Sequence, residues 1–115
     1  MTNNQEKVDR STDAFEQLAA ANDRSLYVLR LYVSGMTPRS TEAINNLTTI
    51  CEEHLKDRYE LEVIDIYKQP ELTTADQIIA TPTLVKKLPL PLRKLVGTLS
   101  DEERVLVGLN LVRKN

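Results

Sequence analysis

The chain has 115 residues, which is enough for one domain with its own hydrophobic core. Its 15 Lys and Arg residues are nearly balanced by 17 Asp and Glu residues, which argues against nucleic acid as the main partner, since phosphate binding requires a surplus of positive charge. The single cysteine excludes an intrachain disulfide and a zinc site built on thiolates. Because the chain has neither an apolar signal segment nor an apolar run of about 20 residues, we expect a cytoplasmic domain that does not bind membranes.

The first half of the chain predicts a β-α-β unit. Residues 1–25 are polar and are expected to form a flexible extension, and residues 26–115 the folded domain. Tyr27–Val33 has the composition of a strand, and Thr37 and Pro38 suit the N-cap and first position of a helix. Tyr59–Ile66 is predicted as a second strand, parallel to the first. The apolar face of the helix between them is formed by Ala43, Ile44, Leu47, Ile50, Cys51 and Leu55.

The second half is less regular. Pro70 opens a short polar segment, Thr83 to Leu88 and Arg93 to Val96 are predicted strands, and Ser100-Asp101-Glu102-Glu103 has the form of a capping box. The apolar run from Val105 to Val112 fits a helix and an alternating strand equally well. With a final helix, the order is β-α-β-α-β-β-α, which is the thioredoxin-like order.

The segment Ala80-Thr81-Pro82-Thr83 stands where thioredoxin-like folds place a cis-proline beside their active site, and an X-Pro bond is the kind that adopts the cis form. Redox members of that fold carry Cys-x-x-Cys between the first strand and the first helix. The corresponding turn here, Val33 to Pro38, contains no cysteine, so dithiol exchange is excluded at that position. Cys51 is predicted as a core residue, and a redox enzyme using this cysteine alone stays open as an alternative.

The sequence shows no motif for other kinds of catalysis. His54 is the only histidine and has no second histidine or cysteine at ligand spacing, so it is predicted to be structural or solvent-facing. The three glycines cannot form a P-loop or a Rossmann phosphate loop. We therefore predict no catalytic, cofactor-binding or metal-binding residues.

A basic cluster surrounds Pro89 and Pro91 and consists of Lys86, Lys87, Arg93 and Lys94. One interpretation is a solvated strand edge, because lysines discourage pairing between edge strands. The other is a docking patch for an acidic partner surface.

Several blocks in order resemble the KaiB family, the small partners of the KaiC ATPase in the bacterial circadian clock. The blocks are Tyr27 to Pro38, Val63 to Ile66, Ala80 to Leu84, Pro89 to Pro91 and Gly97 to Leu111. The resemblance covers about residues 26 to 112. It implies a metamorphic α/β protein with a tetrameric βαββααβ ground state and a rarer, monomeric, thioredoxin-like βαβαββα state. The latter binds the N-terminal ring of KaiC and can engage KaiA or clock histidine kinases.

The resemblance also implies roles for particular residues. Lys86, Arg93 and Lys94 match positions that bind KaiC, and Tyr27, Gly108 and Asn110 match positions that bias the fold switch. Gly108→Ala is expected to favour the helix. Pro82 is expected to be cis only in the thioredoxin-like state, so that its slow isomerisation contributes to the switch.

We expect the tetramer in a crystal, because a high protein concentration favours oligomers. Two alternatives stay open. The oligomer is a dimer, or the protein functions as an oligomeric scaffold.

The sequence departs from cyanobacterial members at several points. Those members usually carry aspartate at the position of Asn110 and a basic residue near Glu42, have a shorter N-terminal segment, and continue into an acidic tail. We therefore expect a homologue from outside the cyanobacteria, acting on a KaiC-type ATPase in a clock-like or stress-adaptation system.

Overall fold

The computed structural model describes residues 25–111, so the predicted flexible extension lies almost wholly outside the described residues. Four strands form one sheet in the order β2-β1-β3-β4, in which β2 is parallel to β1, and β3 is antiparallel to both β1 and β4. Within residues 25–111, no helix is long and apolar enough to cross a membrane. The elements are β1 (Tyr27–Val33), α1 (Pro38–His54), β2 (Tyr59–Asp65), α2 (Pro70–Ala75), β3 (Thr83–Leu88), β4 (Arg93–Val96) and α3 (Glu102–Gly108).

The element order is the thioredoxin-like βαβαββα order that the sequence predicts with a final helix. This order differs from that of the βαββααβ ground state, which we expect for the tetramer in a crystal. The tetramer and its ground-state fold stay predictions. The helix and strand bounds of the first half agree closely with the sequence pattern, including the parallel pairing of β1 with β2.

The first helix begins where the sequence predicts. The Thr37 side chain accepts a hydrogen bond from the Ser40 backbone N–H at 3.1 Å, and Pro38 occupies the first turn, where no donor is lost. The buried face of α1 packs against the sheet and contains Ser40, Ala43, Leu47, Ile50 and Cys51.

The two faces of the sheet carry separate cores because strand side chains alternate between faces. Leu31 of β1 and Leu84 of β3 pack in the larger core, together with buried residues of α1 and α3. Their neighbours along the strands, Tyr32 and Val85, pack in a smaller core with Leu72 of α2. The larger core lies under α1 and α3, and the smaller core lies under α2.

The C-terminal run, which fits a helix or a strand by sequence, is helical as far as Gly108. Its N-cap is Asp101, whose carboxylate accepts from the Arg104 backbone N–H at 3.2 Å, so the predicted capping box led by Ser100 is wrong by one residue. The helix ends in a left-handed residue, Asn110 with φ of 62°, and the Leu111 N–H donates to the Leu106 carbonyl. This Schellman geometry satisfies the last carbonyls of a short helix.

A carboxylate at the end of α2 joins that helix to the sheet. Asp76, whose side chain is 7 % exposed, accepts hydrogen bonds from Lys87 Nζ at 2.6 Å, Arg30 Nη1 at 3.1 Å and the Tyr32 hydroxyl. Burial alone would raise the pKa of Asp76, but the hydrogen bonds from Lys87, Tyr32 and Arg30 outweigh it and lower the pKa below 3.8. The charged form of Asp76 is therefore the stabilising form.

Asp76→Asn should lower the free energy of unfolding by about 2 kcal/mol at neutral pH, since it removes charge-assisted hydrogen bonds at a mostly buried site. The stabilisation by Asp76 is present above pH 3.8 and is lost as the pH falls through the lower pKa of the folded state. Urea denaturation of the two proteins from pH 7 to pH 2.5 should show the difference shrinking below pH 3.8. Asp57→Asn, at an exposed turn, is the matched control, and an equal loss in both variants would contradict the prediction.

Candidate functional site

The turn after β1 meets the Pro82 loop at the end of the sheet. The Ser34 and Thr81 hydroxyls lie 3.0 Å apart, and the Gly97 N–H donates to the Pro82 carbonyl at 2.9 Å. The Thr81–Pro82 bond is cis, as the sequence predicts for the thioredoxin-like state. Gly35 has φ of 70°, a conformation that glycine adopts without strain. The thioredoxin-like site is thus assembled from hydroxyls and backbone groups.

Cys51 lies away from this turn, in the core under α1, and its side chain is fully buried. Burial, together with the smaller effect of the neighbouring Glu52 charge, raises the pKa of its thiol to about 12. The thiol is therefore protonated at neutral pH and shielded from solvent, which disfavours the single-cysteine enzyme alternative.

The basic cluster predicted from the sequence does not form one patch. The register pairs Lys86 with Arg93 and Val85 with Lys94, so Lys86 and Arg93 share one face of the sheet. Lys87 and Lys94 lie on the opposite face, beside the end of α2, where Lys87 binds Asp76 and Lys94 donates to the Gln77 carbonyl. Consecutive side chains of a strand lie on opposite faces of the sheet. The four basic residues are therefore distributed over both faces.

Lys86 is buried, with 1 % of its surface exposed, so in this fold it cannot contact a partner directly. Its ammonium donates to the Asn110 side-chain oxygen at 2.6 Å. Burial lowers the pKa of Lys86 below 10.5, and the Arg93 charge lowers it further. Two residues predicted for different roles, Lys86 for binding and Asn110 for switching, are therefore direct partners that attach the end of α3 to β3.

The Lys86–Asn110 bond should contribute a measurable coupling energy. Asn110→Gly keeps the left-handed backbone but removes the acceptor, and Lys86→Met removes the buried charge while retaining much of the side-chain volume. In a double-mutant cycle by urea denaturation, we expect a coupling of about 1–3 kcal/mol, because a buried ammonium without an acceptor is costly. A coupling near zero would contradict the assignment. Asn110→Asp should be at least as stable as the wild type, since it pairs a carboxylate with Lys86.

A groove of about 280 Å³ lies beside Asn110 and includes Tyr27 in its wall. Tyr27 is buried, its backbone N–H donates to the Arg58 carbonyl at 2.7 Å, and the Arg58 guanidinium lies 6.0 Å from the centre of its ring. The other walls are Arg58, Leu111 and the loop from Pro89 to Pro91, in which Leu90 is exposed. The structure thus brings two predicted switch residues, Tyr27 and Asn110, to one groove at the start of β1.

Gly108 occupies a different position, where α3 crosses β4. A Cβ atom at this position would lie 2.6 Å from Leu95 Cδ1, so the glycine allows the helix to approach the sheet closely. The helix preference expected of Gly108→Ala is therefore opposed by a steric contact in the thioredoxin-like fold.

Gly108→Ala should increase the stability of the fold more when the Leu95 side chain is shortened. In a Leu95→Ala background the alanine should stabilise the fold by about 1 kcal/mol through its helix propensity. In the wild-type background the gain should be smaller or reversed, because Leu95 must move. Thermal unfolding of the four proteins measures both effects, and equal effects in the two backgrounds would show that the contact is unimportant.

Arg93 and Lys94 are exposed on edge strand β4, in the walls of an open groove between this strand and α3. The other side of the groove carries Arg104, Asp101 and Glu103, so the surface has mixed charge with a basic strand edge. The sequence does not indicate the contribution of Arg104, because no local pattern predicts that the first turn of α3 lies beside β4. The Asp76 interactions were also missed, because nothing in the polar segment after Pro70 predicts a partner on β1.

This geometry defines a class: a thioredoxin-like protein in which the redox turn carries no thiol. Solved structures agree on the fold. The N-terminal domain of Synechococcus elongatus SasA matches with a TM-score of 0.63 at 24% identity, covering 79% of this chain and 90% of that one. Mitochondrial thioredoxin 3 from Saccharomyces cerevisiae matches with a TM-score of 0.62 at 12% identity, covering 85% and 90% respectively.

Sequence relatives narrow the class to a family. The KaiB domain family matches residues 30–111. The circadian clock oscillator protein KaiB of Prochlorococcus marinus strain MIT 9312 is 53% identical over 89 residues, covering 77% of this chain and 85% of that protein. The KaiB protein of Gloeothece citriformis is also 53% identical, covering 77% and 84%. The chain belongs to the KaiB family, which confirms the resemblance found in its sequence.

Proposed function

We propose that this chain is a non-catalytic regulator that binds a KaiC-type ATPase ring in its thioredoxin-like form, after a fold switch from a tetrameric βαββααβ resting state. The observation that carries the proposal is the KaiB family match over residues 30–111. The turn without a thiol and the buried Cys51 support a binding role in place of redox catalysis. KaiA or a clock histidine kinase is a further candidate partner, in a clock-like or stress-adaptation system.

The burial of Lys86 refines the proposed contact surface. Arg93 and Lys94 are exposed and can meet an acidic partner, whereas Lys86 acts as a positioning residue that attaches α3 through Asn110. In the proposed switch, Asn110 favours the thioredoxin-like form by its bond to Lys86, and Gly108 allows α3 to pack closely on Leu95 in that form. Tyr27 anchors the start of β1 beside Asn110. A role for Pro82 in the rate of switching remains part of the proposal.

Complex formation with the cognate KaiC-type ATPase, loaded with ATP and incubated for hours, tests the proposal. Long incubation is required because a small binding-competent fraction lowers the apparent affinity. Lys94→Glu and Arg93→Glu should each weaken binding about tenfold, mainly through the association rate, and the difference should shrink at high salt.

Lys56→Glu is the matched control, because it makes the same charge change at an exposed turn next to α1, away from β4. Its affinity should equal that of the wild type. Absence of any complex with the wild-type chain would overturn the proposed function. Equal weakening by Lys56→Glu and Lys94→Glu would overturn only the proposed contact surface.

A further inference from the structure

An imidazole and two carboxylates meet where α1 ends and α3 begins. His54 Nε2 lies 3.2 Å from Glu102 Oε2 and 3.9 Å from Glu53 Oε1. One ligand atom from each of the three residues lies within 4.8 Å of the others. Glu102 is 48 residues from His54 in sequence, so the fold alone creates this group.

The separations are close to those of a metal coordination sphere. Tetrahedral zinc binds nitrogen and carboxylate oxygen at about 2.0–2.2 Å, which places neighbouring ligand atoms about 3.3 Å apart. His54 and Glu102 are hydrogen-bonded at 3.2 Å, which is close to this separation, so an ion can replace the bridging proton with little movement, and Glu53 needs to move by only about 1–1.5 Å. Both glutamate side chains are more than half exposed, so this movement meets little packing resistance, and water can reach a fourth coordination position.

The charge and ligand chemistry also select the ion. Two carboxylates with a neutral imidazole carry a formal charge of −2, which a divalent cation neutralises. Imidazole favours zinc, copper and nickel over magnesium and calcium, which prefer sites made only of oxygen.

Although the sequence alone predicts no metal-binding residues, we propose that Glu53, His54 and Glu102 form a surface site for a divalent transition-metal ion, with Zn²⁺ as the reference ion. The bound ion links the last turn of α1 to the first turn of α3, and it stabilises the fold in which these helices are neighbours. The site stands on its own geometry and does not depend on the proposed ATPase partner.

The composition of the chain makes the test specific, because His54 is the only histidine and the only cysteine, Cys51, is buried. Isothermal titration of the full chain, free of any affinity tag, with ZnCl₂ should show one ion per chain. At free zinc about ten times the dissociation constant, the melting temperature should rise by about 5–10 °C. Titration with Mg²⁺ should give no such shift.

Substitutions assign the ligands. His54→Ala should abolish zinc binding, and Glu102→Gln should weaken it at least tenfold, as should Glu53→Gln. Glu71→Gln, at an exposed carboxylate on α2, and Cys51→Ala are controls that should bind as the wild type does. With Cu²⁺, electron paramagnetic resonance should show coupling to one nitrogen that disappears in His54→Ala.

Unchanged zinc affinity in His54→Ala, or loss of binding in Cys51→Ala, would overturn the site. If His54→Ala lost binding but Glu102→Gln bound normally, the ion would not join the two helices, and the proposed link would be wrong. Because all three side chains are solvent-accessible, the variants should fold, and circular dichroism before titration confirms it.

Discussion

A lysine ammonium buried under a helix must have an acceptor, and the arrangement of the C-terminal half depends on meeting this requirement. Lys86 lies on the core face of β3 and donates to the side chain of Asn110, the left-handed residue that ends α3. Desolvation makes an unpaired ammonium expensive, so the bond fixes the helix end relative to the central part of the sheet. Gly108, two residues earlier, allows the same helix to approach Leu95 closely. The hydrogen bond and the close packing together position α3.

Lys87, the next residue of β3, attaches a helix to the opposite face of the sheet. Lys87 binds Asp76 at the end of α2, together with Arg30 and Tyr32 of β1. Two consecutive lysines of β3 therefore attach the layers above and below the sheet. Two of the four residues in the predicted basic cluster, Lys86 and Lys87, therefore have structural roles. Within that cluster, only Arg93 and Lys94 on the edge strand are exposed.

The sequence predicts the local features well. The bounds of β1, β3 and β4, the cap at Thr37 and the absence of a thiol after β1 all follow from short-range patterns. The burial of Lys86, the partners of Asp76 and the meeting of His54 with Glu102 depend on which segments become neighbours, so local patterns cannot predict them. The run after Val105 is ambiguous for a physical reason: valine favours strands and glycine weakens helices, and tertiary contacts at Gly108 and Asn110 decide the outcome.

The central proposal is that the chain binds a KaiC-type ATPase in the thioredoxin-like arrangement. The most direct measurement is the set of backbone Cα and Cβ chemical shifts of residues 93–111 in the complex, recorded by NMR on isotope-labelled chain bound to unlabelled ATPase ring. We expect extended shifts for Arg93–Val96 and helical shifts for Glu102–Gly108. Extended shifts across Val105–Gly108 in the bound state would contradict it.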